Sequence, residues 1–177
     1  MESRATAVLI EPWSEDDLDL LRAINAPELM AHLGGPETEE KLLDRHRRYV
    51  ALSAAGADAS AGQMYRIVVA ATGEAAGGIG FWEHVSTSDG LPMYETGWTV
   101  LAGFQGRGLA SRATALVIGA ARAAGRHRYL FAYPKVSNGA SNAVCRKVGF
   151  ELLGQVAMEY PPGHPITSNE WRLDLRP

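Results

Sequence analysis

Thr6–Trp13 alternates Ala7 and Leu9 against Val8 and Ile10, a period of two that predicts a first strand. Ser14 is then placed as an N-cap, with Asp17 at the third helical position, so a helix should run to about Ala26. Gly34-Gly35-Pro36 breaks the chain, and Thr38–Ser53 returns to helical spacing through Leu42, Leu43, Tyr49, Val50 and Leu52. Ala54–Gly62 reads as a loop of small residues. Three strand-like runs follow, Met64–Ala71, Ala76–His84 and Met93–Leu101, parted by Gly73-Glu74 and Asp89-Gly90 turn signals. From Arg107 to Ala124 the residues Leu109, Ala113, Leu116, Val117, Ala120 and Ala124 form one helical stripe, ended by Gly125. Tyr129–Tyr133 predicts a short strand, and Asn138–Val148 a second, shorter helix closed by Gly149. Glu151–Tyr160 and Asn169–Leu175 supply the last two strands.

The order is β-α-α-β-β-β-α-β-α-β-β. Hairpin-joined strands followed by strand–helix–strand crossovers predict a mixed α/β (α+β) sheet with helices on its faces, as opposed to a doubly wound parallel fold. No repeat and no linker marks a second domain, so residues 1–177 are expected to form one. No apolar run approaches the ~18–20 residues of a membrane span, and no secretory signal follows Met-Glu-Ser-Arg. Cys145 stands alone, which removes a disulfide framework and a thiolate zinc cage; the expected location is cytoplasmic. The five histidines lack short ligand spacing, so no metal is expected.

Charge changes the picture. The net value is only −3, too acidic for a general nucleic-acid binder. Yet no Asp or Glu occurs between Thr96 and Phe150, a stretch of 55 residues carrying eight Lys and Arg. The rest of the chain is therefore at −11. A basic surface for a polyanionic small molecule and a solvated helix face both fit this bias.

Inside that stretch lies Gln105-Gly106-Arg107-Gly108-Leu109-Ala110-Ser111, where a predicted strand enters a long helix. Unpaired N–H groups converge at such a junction and the helix dipole turns its positive end outward. Gly106 and Gly108 keep side chains away from those amides, and Arg107 adds charge. A P-loop would need Lys after its last glycine, where Leu109 stands. A dinucleotide fingerprint would need an acid ~20 residues further on, and none occurs before Glu151. A turn that only lets helix meet strand stays open on these grounds.

Gln-x-x-Gly-x-Ala at Gln105–Ala110 resembles the acyl-CoA pyrophosphate loop of the GNAT N-acetyltransferase superfamily. Asn138-Gly139-Ala140-Ser141 followed by Lys147-Val148-Gly149-Phe150 resembles the later family helix, which opens at Asn and closes with Gly-Phe. Tyr94-Glu95-Thr96-Gly97-Trp98-Thr99-Val100 looks like the Glu-x-Gly-aromatic strand of the ribosomal-protein N-terminal acetyltransferase branch. The resemblance spans about Tyr94–Phe150. It implies a mostly antiparallel sheet of about seven strands with a splayed pair, and acetyl-CoA as cosubstrate. The acceptor would be a primary amine, either a protein N-terminus or a small cationic amine.

It also implies roles. The backbone of Trp98, Thr99 and Val100 should pair with the pantetheine arm, with an N–H near Val100 facing the thioester oxygen. Gln105, Gly106, Arg107, Gly108, Leu109, Ala110 and Ser111 should hold the pyrophosphate, and Asn138 the pantetheine side. Asn138 also reads as a helix N-cap. Amine acetylation needs a base, and Glu95 is the candidate, with Glu83 and His84 as alternatives. Many relatives carry a tyrosine acid at the place of Cys145; Ser141 is expected to donate to the leaving thiolate in its stead. Cys145 as a nucleophile has no neighbouring histidine to support it. Trp13 and Trp82 are sheet aromatics or walls of an acceptor pocket. Pro161–Pro165 is compatible with hairpin closure, a rim of that pocket or a homodimer contact. The competing class is a non-catalytic acyl-CoA-binding module.

Overall fold

The computed structural model describes residues 6–54 and 59–177, so part of the small-residue loop read over Ala54–Gly62 lies outside the described residues. Among the described residues seven strands join one sheet in the order β1-β2-β3-β4-β5-β7-β6. They are β1 (Val8–Pro12), β2 (Gly62–Val69), β3 (Ala75–Val85), β4 (Pro92–Val100), β5 (Tyr129–Ala132), β6 (Glu151–Glu159) and β7 (Pro165–Asp174). All neighbours are antiparallel except β4 and β5. This is the mixed, mostly antiparallel sheet expected.

Helices cover both faces. Ser14 and Asp17 close the expected capping box, with Ser14 N–H donating to Asp17 Oδ2 at 2.8 Å. A 3-10 turn over Glu15–Asp17 leads into α1 (Leu18–Ile24). A four-residue α2 (Pro27–Met30) follows, which the sequence reading missed although proline at a first helical position is its usual signal. Next come α3 (Glu39–Ser53), α4 (Leu109–Ala124) and α5 (Gly139–Lys147). On β2 the alternation sends Tyr65, Ile67 and Val69 into one core beneath α4, where Val117 and Ala121 are buried. Met64 points the other way, to Trp13, Leu21, Ile24 and Leu42 beneath α1 and α3. Trp13 is thus core: its Nε1 donates to His46 Nδ1 at 3.1 Å. Strand β7 begins four residues earlier than expected, because β6 recruits the polar stretch from Pro165 into a hairpin. Among the described residues no helix is long and apolar enough to cross a membrane.

At one place β3 and β4 approach too closely for any side chain. A Cβ on Gly77 would stand 2.0 Å from the Thr99 carbonyl oxygen, and a backbone atom cannot rotate away. Gly77→Ala is therefore expected to destabilise the fold by roughly 3 kcal/mol, lowering Tm by about 10 °C in a thermal melt. A Tm within a degree or two of wild type would refute this close approach.

Candidate functional site

The parallel pair is where the sheet opens. β4 and β5 share only the register pairs Tyr94–Leu130 and Glu95–Phe131, and beyond them β4 continues to Val100 without β5. A cavity of about 650 Å³ occupies the opening. The ladder on the other side of β4 sets which backbone groups face it. Leu101 N–H donates to Ala76 O at 2.8 Å, so by antiparallel alternation Thr99 is committed to Gly78 while Trp98 and Val100 direct their N–H groups away from β3. Of the three residues expected to pair through their backbone, Trp98 and Val100 thus have N–H groups open to the seam, whereas that of Thr99 is engaged by β3.

The loop that follows turns on two glycines. Gly106 and Gly108 adopt φ of +75° and +73°, a region costly for side chains, and nothing lies within 4 Å of a Cβ on Gly106. Gly108 caps α4 with no side-chain hydrogen bond, which leaves the first-turn N–H groups of Leu109, Ala110 and Ser111 available at the positive end of a 16-residue helix. All three line the cavity, as do Gly106, Gly108 and Gln105. Gln105 also braces the loop, its Nε2 donating to Val100 O at 3.0 Å. Arg107 does not line the cavity. Its Nη2 turns back to Gly103 O at 3.0 Å and its guanidinium lies over the Phe104 ring. Arg112, which the sequence reading passed over, is the cation beside the glycines: its Nη1 donates to Arg107 O at 2.8 Å.

Asn138 and Ser141 sit on the opposite wall at the start of α5, and both line the cavity. Asn138 Oδ1 accepts from Ser141 N–H at 3.2 Å, so the residue is an N-cap and presents its amide N–H groups to the surroundings. The wall is fixed by Asn142, buried one turn further on. Its Nδ2 donates to Lys135 O and Asn138 O at 3.1 and 2.8 Å, and its Oδ1 accepts from Asn169 Nδ2 and Trp171 Nε1, both at 2.8 Å. Cys145 is fully buried in the core against α4, where desolvation pushes its thiol up to about 12. It does not line the cavity.

Of the acidic candidates, register separates two that the sequence leaves side by side. Glu95 pairs with Trp82 and lines the cavity; Glu83 pairs with Tyr94 and lies on the opposite face. There His127 Nε2 and Arg126 Nη1 hold Glu83 at 2.7 and 3.1 Å, and the bond with His127 keeps its carboxyl below the usual range. Glu95 behaves differently. Burial pushes its carboxyl above the usual range, against the opposing pull of His84 and the Trp82 indole. His84 Nδ1 lies 3.2 Å from Glu95 Oε2.

Walls without local sequence signals complete the cavity. Leu29, Leu33 and Tyr49 come from the α1–α3 region, Met158, Tyr160 and Ile166 from the β6–β7 hairpin, and Tyr133 from the end of β5. Tyr133 donates its hydroxyl to Glu170 Oε2 at 3.0 Å, and burial raises it to about 12. Among the described residues no three His, Cys, Asp or Glu side chains come together as a metal group.

The open sheet seam and the glycine-lined helix N-terminus thus share one cavity. The family described as acetyltransferase (GNAT) domain matches residues 7–151, and the chain belongs to that family. It is an acetyl-CoA-dependent acetyltransferase. Solved structures share the fold at low identity. One is an acetyltransferase from Salmonella typhimurium that modifies the N-terminal serine of ribosomal protein L7/L12 (22% identity, TM-score 0.74, covering 96% of this chain and 95% of that one). A second, also from Salmonella typhimurium, is a putative acetyltransferase with acetyl-CoA (20%, 0.74, 96% and 95%). A third is an aminoglycoside acetyltransferase in complex with coenzyme A (19%, 0.72, 95% and 95%). No curated protein matches the chain.

Proposed function

We propose that this acetyltransferase moves the acetyl group from acetyl-CoA to a primary amine by direct attack in a ternary complex. The acceptor is a protein N-terminus or a small cationic amine. The observation that carries the reading is the placement of Glu95 at the point where β4 and β5 part, on the same strand as the outward-facing N–H of Val100. An amine attacks only when neutral, and a carboxylate held above its usual range is suited to take the proton near neutral pH. Val100 N–H supplies a fixed donor for charge building on an acyl oxygen. Acetyl-CoA brings the activated acyl group; the amides of Gly106–Ser111 would hold its phosphates, with Arg112 nearby and Arg107 acting at longer range. Trp98 and Asn138 would hold the arm between them. Ser141, which lines the cavity, would donate to the departing sulfur, a role that the buried Cys145 does not fill.

That same burial argues against a covalent route, since a thiol sealed in the core meets neither substrate. We further read residues 1–177 as one cytoplasmic domain, without nucleic-acid or membrane partners. A homodimer contact at Pro161–Pro165 belongs to the same proposal. Initial rates of thiol release, with acetyl-CoA and a primary amine varied together, test the chemistry. Intersecting lines are expected. Parallel lines would overturn direct attack, and release independent of amine would overturn the transfer itself.

A further inference from the structure

We infer that the acceptor is a compact primary amine whose one positive charge sits on an otherwise largely apolar body. The inference deepens the amine-acetylation reading and rests on it.

The chain's acid excess invites the opposite conclusion, that the acceptor is a polycation. The structure directs those acids elsewhere. Glu39 and Asp19 hold Arg22, Glu11 and Asp17 hold Arg66, Asp174 holds Arg128, and Glu151 holds Arg172. Among the described residues the acids lining the cavity are Glu28 and Glu95. Glu28 is exposed, and Glu95 is joined to His84. Beyond the exposed Glu28, a second or third ammonium would meet Leu29, Leu33, Tyr49, Met158 and Ile166, and an unpaired charge against such walls is strongly disfavoured. Arg45 also lines the cavity, its side chain only 12% exposed, bound to Glu37 at 2.5 Å and within 3.4 Å of Tyr160 Oη.

Size is limited by a second contact between the same two walls. A Cβ on Gly34 would stand 2.6 Å from Pro161 Cδ, so the loop after α2 touches the tip of the β6–β7 hairpin. With the Arg45–Tyr160 contact, this joins α3 and its preceding loop to the hairpin across the space that the acceptor occupies. Apolar walls bridged in this way favour a short body with one ammonium over a long polar one.

The test compares kcat/KM of the full chain for 2-phenylethylamine, spermidine, kanamycin and a serine-initiated decapeptide, at saturating acetyl-CoA. The expected value for 2-phenylethylamine is at least tenfold above each of the others. An equal or higher value for any of the three overturns the inference while leaving amine acetylation in place. Turnover of none, with acetyl-CoA still raising Tm, overturns amine acetylation and this inference together. Met158→Glu should raise KM for 2-phenylethylamine about tenfold and leave KM for acetyl-CoA unchanged. An unchanged amine KM in that variant would remove the hairpin from the acceptor wall.

Discussion

Glu95→Gln is expected to lower turnover by ~10²-fold or more with acetyl-CoA affinity unchanged, because a glutamine keeps the shape but cannot take a proton. The pH profile gives the sharper signature. Burial raises the Glu95 carboxyl, so the acidic limb of kcat/KM should lie above the usual carboxylate range and vanish in the variant. Stability separates chemistry from architecture. A carboxyl raised by folding binds its proton more tightly in the native state than in the unfolded chain. Its contribution is therefore full below the unfolded value and is lost as pH rises through the folded one. At neutral pH the glutamine variant should consequently melt no lower than wild type. A variant equally active, or one that loses activity only by unfolding, would remove Glu95 from the reaction.

The second large effect concerns the glycine turn. At hundredfold excess over its Kd, acetyl-CoA should stabilise the wild-type chain by ~2.7 kcal/mol, and Gly108→Glu should erase that shift. The new carboxylate would enter among the first-turn amides of α4, at a backbone φ of +73° that itself disfavours a side chain. Gly108→Ala controls for the backbone: its Cβ meets only the far end of Arg112, at 3.0 Å, which can move. Retained binding in the alanine variant, with none in the glutamate variant, would assign the loss to charge. Free CoA should behave as acetyl-CoA does, and NAD should produce no shift. A full acetyl-CoA shift in Gly108→Glu would leave the glycine turn as architecture alone.

What could be read in advance follows from how local each signal is. The glycine turn and the Asn138 cap are contiguous segments whose residue types already state their backbone needs, and the structure builds both geometries where they were expected. Glu83 and Glu95 show the limit: both sit in strand-like runs, and only the pairing of β3 with β4 reveals which face each occupies. Arg107 was legible as a charge but not as a direction, because its side chain is claimed by the turn it belongs to. The remaining cavity walls were out of reach for another reason. Leu29, Tyr49 and Met158 come from distant parts of the chain and carry no shared motif; tertiary packing alone makes them neighbours. Cys145 lies between these cases. Its isolation argued for a core residue, and the buried thiol agrees.

Asn142 carries a consequence for the whole catalytic cycle. Its side chain joins the turn before α5, the first turn of that helix and two residues of β7 through hydrogen bonds made wholly inside the protein. The wall bearing Asn138 and Ser141 is thus set in place during folding. A ligand bound there would meet a preorganised backbone, with less conformational entropy to lose on that side of the seam.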